Sequence, residues 1–335
     1  MTYLIKVLEL FSGVGSFSIS LNTLGIEHEI VGFSETRKTA TQLFCKLHNK
    51  KESENLGDVR NVSAKDLDVD LLVFGSPCQS FTRAGKQGGG LKGSDTRSAL
   101  MWEAVRIMEE CKPKWIVWEN VPDAISRKNM PNFQNYMDEL DSLNYNTYYK
   151  VLNAHELGSA QKRKRLFSIS IRKDIDNGKF EFLDLTREPK HLETYLENND
   201  QPDIANEHIH SHLILGKDEN GYKIKNGTKK GYLYANNGDG IDLAYVTSKA
   251  RRGRVQVKAC QTIMRGKTLG TINDGVLRFY SPREYWRLQE MPDELYKHVE
   301  ACNFKPSTAY DVVGGVINQL HLKTVFLSLK KAFNW

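Results

Sequence analysis

The chain opens with an apolar run, Leu4 to Leu10, that breaks at a glycine turn, Phe11-Ser12-Gly13-Val14-Gly15-Ser16. Phe17 to Leu24 follows with helical spacing, and Glu29 to Phe33 reads as a second strand ending at Ser34-Glu35. The alternation continues. A helix is expected over Arg37–His48, a strand at Leu71–Phe74, and a helix over Ser98–Cys111 with Leu100, Ala104, Ile107 and Met108 on one stripe. Next come a strand at Trp115–Trp118, a helix over Phe133–Leu143, and strands at Tyr148–Asn153 and Arg165–Ile171. Continuous apolar strands alternating with amphipathic helices predict an α/β fold with a doubly wound, mostly parallel sheet covered on both faces. After Leu185 the pattern is lost. Residues 186–260 are polar, with short β-like pieces at Gly231–Ala235 and Val255–Lys258, and a last helix is expected over Gln319–Phe333. The expected division is a regular domain of residues 1–185 plus 306–335 and a smaller, irregular, β-rich domain of residues 186–305.

Candidate chemistry sits where predicted strands end. Gly75-Ser76-Pro77-Cys78-Gln79-Ser80-Phe81 follows the strand at Leu71–Phe74. Ligands of open α/β sheets bind outside the carboxyl ends of the strands, so Cys78 is placed as a nucleophile, with a small buried thiol as the alternative. Pro77 restricts its own φ and that of Ser76. The turn Gly13-x-Gly15-x-x-Ser18, with Glu35 downstream, has the logic of a nucleotide-binding βαβ unit, in which glycines admit a phosphate or nucleoside and the carboxylate takes ribose hydroxyls. Asp58 is either an acceptor for an amino group or a simple turn residue. Glu119 ends an adjacent strand, and Arg163 and Arg165 alternate with Lys162 and Lys164, which places both arginines on one face.

Composition narrows the class. The five cysteines (Cys45, Cys78, Cys111, Cys260, Cys302) show no pairing rhythm, which suits reduced thiols in a cytoplasm. No run approaches the ~18 apolar residues of a membrane span, and the N-terminus lacks a signal-peptide pattern. The net charge of +6 is unevenly spread: residues 193–219 carry seven acidic side chains against one Lys, and residues 223–267 carry eleven Lys and Arg against Asp239 and Asp242. The second block reads as a footprint for phosphate or as a solvated face. His208, His210 and His212 alternate, but no Cys lies near them, and no metal site is expected.

The turn at Phe11–Gly15, the loop Gly75–Phe81, Glu119-Asn120-Val121, Gln161-Lys162-Arg163-Lys164-Arg165 and Arg287-Leu288-Gln289-Glu290-Met291-Pro292 occur in that order. Together they resemble the C5-cytosine DNA methyltransferases of bacterial or phage type, which use S-adenosylmethionine. The resemblance covers most of the chain and fails across residues 186–258. It implies a catalytic, cofactor-binding Rossmann-like domain and a target-recognition domain that binds double-stranded DNA. It implies Cys78 as nucleophile toward C6 of a flipped cytosine, Glu119 at N3 and the exocyclic amine, Arg165 at the base carbonyl, and Arg163 supporting the Cys78 loop or the target phosphate. Cofactor contacts are implied for Phe11, Ser12, Gly13, Gly15, Glu35, Asp58, Pro77, Leu100 and Val316, with S-adenosylhomocysteine as product. DNA contacts are implied for Gln79, Ser80, Arg83 and Arg97, the ends of a glycine-rich lid over the flipped base, and the basic block offers Arg251, Arg252 and Arg254 to phosphate.

In relatives an Asn follows the glycine at Gly314; here Gly315 stands in its place, which removes a brace of the Pro-Cys loop and cofactor pocket. Ser80-Phe81-Thr82-Arg83 also resembles a tRNA-methylating branch of the same fold. A catalytically inactive nucleic-acid-binding relative is a rival of a different class, and a nicotinamide oxidoreductase leaves the Pro-Cys-Gln loop unexplained. The expectation is therefore a monomeric, cytoplasmic, nucleoid-associated DNA methyltransferase, working alone or alongside a cognate restriction endonuclease and without a membrane partner.

Overall fold

The apolar runs become strands and the stripes become helices. The computed structural model describes residues 3–77, 97–198, 211–248 and 253–335. It carries, in chain order, β1 (Ile5–Leu10), α1 (Ser16–Thr23), β2 (His28–Ser34), α2 (Lys38–His48), β3 (Leu71–Phe74), α3 (Met101–Cys111), β4 (Trp115–Asn120), α4 (Met130–Ser142), β5 (Tyr145–Asn153) and β6 (Lys164–Arg172). These strands form one six-stranded sheet in the order β2-β1-β3-β4-β6-β5. The pairs β1/β2, β1/β3 and β3/β4 are parallel and β4/β6 is antiparallel. The order reverses on either side of β1, as in doubly wound α/β sheets. All four residues of β3 are buried, and Leu8, Leu72, Ile116 and Trp118 pack with Met101, Ile107, Phe133 and Tyr136 of α3 and α4.

The strand at Trp115 runs two residues further than expected and takes in Glu119 and Asn120. The helix expected from Ser98 begins at Met101, behind a 3-10 turn at Arg97–Leu100.

By internal contacts the chain divides into two units: Met1–Leu152, Lys164–Leu185 and His321–Trp335 form the first, and Asn153–Arg163 and Thr186–Leu320 the second. The second holds β7 (Ile214–Asp218), β8 (Gly221–Lys225), β9 (Tyr232–Ala235), β10 (Gly240–Asp242), β11 (Val255–Gln256), β12 (Leu269–Asn273) and β13 (Val276–Phe279), then α5 (Pro282–Leu288), α6 (Tyr296–Glu300) and α7 (Pro306–Gly314). Its strands form the sheets β7-β8-β9 and β11-β10-β12-β13 over a small core of Ile224, Ala235, Ile241, Ile272 and Leu277.

Two segments differ from the expected division. Residues 306–320 stay with the second unit because Tyr310 donates to the Tyr280 carbonyl (2.6 Å) and packs edge-on against Tyr285 (5.2 Å). Residues 153–163 also belong there, since Ile263 N donates to Gln161 Oε1 (3.1 Å). The return to the first unit comes within α8 (Gln319–Phe333). The apolar stretch 306–333 has the length and hydropathy (1.3) of a membrane span, but it is broken into α7 and α8 and is 72% buried inside the fold.

A buried ion pair organises the second unit. Arg278 and Glu284 are both fully buried, and the guanidinium reaches the carboxylate through two bonds, Nη2 to Oε1 (2.8 Å) and Nη1 to Oε2 (2.9 Å). Glu284 also closes a capping box with Ser281 at the start of α5. Truncating one member strands the other charge away from water. Arg278→Ala should therefore lose about 3–5 kcal/mol of unfolding free energy in urea titrations, against well under 1 kcal/mol for an exposed ion-pair partner such as Lys331→Ala.

Candidate active site

Five strand ends meet at one edge of the first unit's sheet, because β1, β2, β3 and β4 run parallel while β6 begins where β4 finishes. Glu119 pairs in register with Phe167, so Arg165, two residues earlier on β6, falls diagonally across from it on the same face. Arg165 Nε lies 2.9 Å from Glu119 Oε1, with both side chains mostly buried. Arg165 Nη1 donates to the Lys164 carbonyl (2.8 Å). The guanidinium keeps further N–H groups to offer, and Glu119 Oε2 has no partner among the described residues. The pair presents one acceptor and a fork of donors side by side.

Next to it, the chain leaving β3 is clamped from β4. Trp118 Nε1 donates to Ser76 Oγ (2.9 Å), and Asn120 Nδ2 reaches both the Ser76 carbonyl and its hydroxyl (3.2 Å each). Asn120 Oδ1 in turn accepts from Val121 N (2.8 Å). Trp118 and Asn120 are positioning residues that the motif reading passed over; a polar strand end opposite a Ser-Pro turn was the available signal. Pro77 follows, half-buried. Cys78, Gln79, Ser80 and Arg83 lie outside the described residues, as do Arg251, Arg252, His208 and His210; the side chain of Arg97 does too. Among the described cysteines, burial pushes the Cys111 thiol up to about 12 and Cys260 well above its ordinary range, so neither has the thiolate character of a nucleophile.

The glycine turn is built for close approach. Phe11, Gly13 and Gly15 adopt positive φ (51°, 57° and 78°). A side chain at Gly15 would strike His48 Nε2 at 2.1 Å, whereas one at Gly13 would meet only Arg37 Nη2 at 4.0 Å. Gly13 N donates to Glu35 Oε2 (2.9 Å), and Thr36 N and Arg37 N donate to Oε1 (3.0 and 2.8 Å), which fixes the carboxylate at the end of β2. The Ser12 hydroxyl is buried with no hydrogen-bond partner among the described residues. An open approach at Gly13, an orphaned hydroxyl at Ser12 and a fixed carboxylate at Glu35 fit the nucleoside of the S-adenosylmethionine that the sequence resemblance implies. Leu100 is half-buried at the head of α3.

Asp58, read either as an acceptor for an amino group or as a turn residue, sits at a turn. It caps a 3-10 turn and accepts from Arg60 N, Nε and Nη2 (3.0, 3.0 and 2.5 Å), and Arg60 holds its carboxyl below the usual range.

Arg163 and Val316 lie in the second unit. Arg163 is 5% exposed and donates through Nη1 to the Ile263 carbonyl (2.8 Å), while Gln161 Nε2 holds the Leu288 carbonyl (2.9 Å). That burial suits support of neighbouring backbone and not contact with a phosphate. Val316 is buried, and the space beside Gly315 is taken by the Arg265 guanidinium, whose Nε would stand 3.0 Å from an added Cβ. Arg254, expected toward phosphate, pairs with the buried carboxylate of Asp242 (Nε to Oδ2, 3.0 Å). Lys223 and Lys258 are similarly paired with Asp218 and Glu193 (2.8 Å each), so the basic block carries less unpaired charge than its composition suggests.

Glu9, on β1 beneath the turn, was also passed over. It is fully buried, accepts from Ser18 N (3.0 Å) and from the Ser18 hydroxyl, and its second oxygen has no partner among the described residues. Burial pushes this carboxyl up to about 7 from 4.5. Because the folded-state value is the higher one, the stability it contributes is complete below pH 4.5 and is lost as pH rises through 7. Glu9→Gln should match the parent near pH 4 and exceed it at pH 8, by roughly 3 kcal/mol in chemical denaturation. A second expectation concerns the turn: Gly15→Ala should weaken S-adenosylhomocysteine binding at least tenfold by calorimetry, since a Cβ there strains the left-handed backbone by ~1–2 kcal/mol and collides with His48.

Comparison with known proteins bears on this geometry. Residues 5–331 match the family model for the C-5 cytosine-specific DNA methylase. The type II methyltransferase M.HhaI of Haemophilus parahaemolyticus is 31% identical over 324 residues, covering 94% of this chain and 92% of that protein. The orphan methyltransferase M.SPRI of Bacillus phage SPR is 38% identical over 184 residues, 55% of this chain, and the matched part spans only 41% of the phage protein. Among solved structures, the Entamoeba histolytica methyltransferase EhMeth superposes with a TM-score of 0.71 at 16% identity, covering 98% of both chains. The S. pombe Dnmt2 methyltransferase does so at 0.68 and 19%, covering 99% of this chain and 100% of that one. With this match across nearly its whole length and the carboxylate–arginine pair at the sheet edge, the chain belongs to the C-5 cytosine-specific DNA methylase family.

Proposed function

We propose that the protein methylates C5 of a flipped-out cytosine within a specific sequence of double-stranded DNA, through a covalent adduct between Cys78 and C6. The observation that carries the reading is the Glu119–Arg165 pair (2.9 Å) beside the clamped strand end that leads to Cys78. S-adenosylmethionine, when bound, supplies an electrophilic methyl group; Ser12, Gly13, Gly15 and Glu35 are the residues that would hold it.

Cytosine C5 is too weak a nucleophile to be alkylated unaided. Addition of the Cys78 thiolate to C6 forms a C–S bond and pushes electron density into the ring, making C5 enamine-like. Glu119 faces N3 and the exocyclic amine, and a proton delivered to N3 drains that charge. Arg165 donates to the base carbonyl and orients the ring. After C5 is alkylated, a base removes the C5 proton, the ring electrons return, and the C6–S bond breaks to release Cys78 as thiolate. An ordinary thiol is only a few per cent ionised at neutral pH, so part of the barrier lies in generating that thiolate.

The same proposal makes the protein a monomer of the bacterial cytoplasm and nucleoid, alone or serving with a cognate restriction endonuclease. DNA is favoured over tRNA because the family model and M.HhaI concern DNA modification and type II systems. Transfer of labelled methyl groups to duplex DNA and to tRNA, assayed side by side, tests the substrate. Label is expected in duplex DNA; label confined to tRNA overturns the DNA reading. Cys78→Ala should abolish transfer, and Glu119→Gln should lower kcat by roughly 10²–10⁴ with cofactor affinity retained.

A further inference from the structure

The β8–β9 hairpin of the second unit carries an unusual outer face. Strand alternation puts Ile224 and Ala235 on the core side and leaves Lys223, Lys225, Tyr232 and Tyr234 on the other. Register places Lys223 opposite Tyr234 and Lys225 opposite Tyr232. Lys229 and Lys230 lie exposed in the turn between the two strands. The turn itself is tied down: Asn226 N donates to the Gly231 carbonyl (2.8 Å) and Thr228 N to Asn226 Oδ1 (2.9 Å).

The ammonium of Lys230 sits over the rings of both tyrosines (4.6 and 5.0 Å), and that of Lys223 over Tyr232 (5.4 Å). The two rings meet edge to face at 5.4 Å. Asp218 binds Lys223 (2.8 Å) and the Tyr234 hydroxyl (3.0 Å), and Glu219 lies exposed at the opposite turn. Lys225, Lys229 and Lys230 have no carboxylate partner among the described residues. An aromatic face thus holds the Lys230 ammonium at the surface without an acidic partner among the described residues, and Lys225 stands opposite Tyr232 in the register.

We infer that this hairpin face is a sequence-independent anchor for the phosphates of duplex DNA, contributed by Lys225, Lys229 and Lys230 with the flanking tyrosines. The inference rests on the DNA reading above and adds to it a surface whose task is affinity, not base recognition. Each ammonium that replaces a condensed counterion contributes a definite salt dependence, ~0.9 in the slope of log K against log salt.

The test is the affinity of the full chain for a random-sequence 30-bp duplex, measured by fluorescence anisotropy across a salt series. The triple variant Lys225→Gln, Lys229→Gln, Lys230→Gln should shallow the slope by about 2.7 and weaken binding at least tenfold at low salt. The corresponding triple Lys→Arg variant should restore both, and circular dichroism should show all three proteins equally folded. An unchanged slope and affinity for duplex DNA in the Gln variant overturns the anchor; so does a loss seen with tRNA and not with the duplex. Methyl transfer by the parent protein, measured in parallel, reports separately on the reaction, so failure of the anchor and failure of the DNA reading give different patterns.

Discussion

The structure depends on the pairing of β4. One edge of this strand runs parallel to β3 and the other antiparallel to β6, with no slack in either register. The first pairing brings Trp118 and Asn120 against Ser76, and the second sets Glu119 against Arg165. A slip of one residue against β6 would turn Arg165 to the face opposite Glu119, and a slip against β3 would take Trp118 and Asn120 away from Ser76. Burial enforces the register: Ile116, Val117 and Trp118 are at most 1% exposed, and Trp118 stacks near Phe74 and Phe133. A carboxylate on such a strand is positioned by core packing and not by a loop.

The same edge explains how two chemistries share one sheet. The ends of β1 and β2 are joined through Gly13 and Glu35, which shapes a place for a nucleoside, while β3, β4 and β6 gather groups suited to a pyrimidine. Between them lies the Ser76 clamp, whose hydrogen bonds restrict the chain leading to Cys78. In the proposed reaction, pre-ordering of this kind would lower the entropic cost of bringing the thiolate and the base together.

Much of this was legible in the residues, and the reason is burial. Leu71–Phe74 is recognisable as a strand because a strand covered on both faces has no polar position to interrupt it, and Gln319–Phe333 because its apolar stripe keeps helical period. Glu119 and Asn120 were expected just beyond their strand since polar residues resemble turn residues; inclusion in the β4/β6 ladder depends on a partner 46 residues or more downstream that local pattern does not reveal. The passage of residues 153–163 into the second unit is invisible for the same reason. Charge counting failed in a different way. It counted Asp242 and Glu193 beside Arg254 and Lys258 but did not show that they pair, nor that Arg60 holds Asp58. Partners bridging distant segments decide whether a charge is available, and composition does not encode them.

The claim at the centre of this account is that β4 and its neighbours prepare Cys78 to add to C6 of a cytosine in duplex DNA. Incubation with S-adenosylmethionine and a duplex containing 5-fluorocytosine, in which fluorine blocks the loss of a proton from C5, tests it directly. The account predicts a protein–DNA adduct that survives denaturation and maps by peptide mass spectrometry to Cys78. Methylated, fluorine-free DNA of the same sequence formed at normal rates, with no such adduct from the fluorinated duplex or with one mapped to another residue, would contradict it.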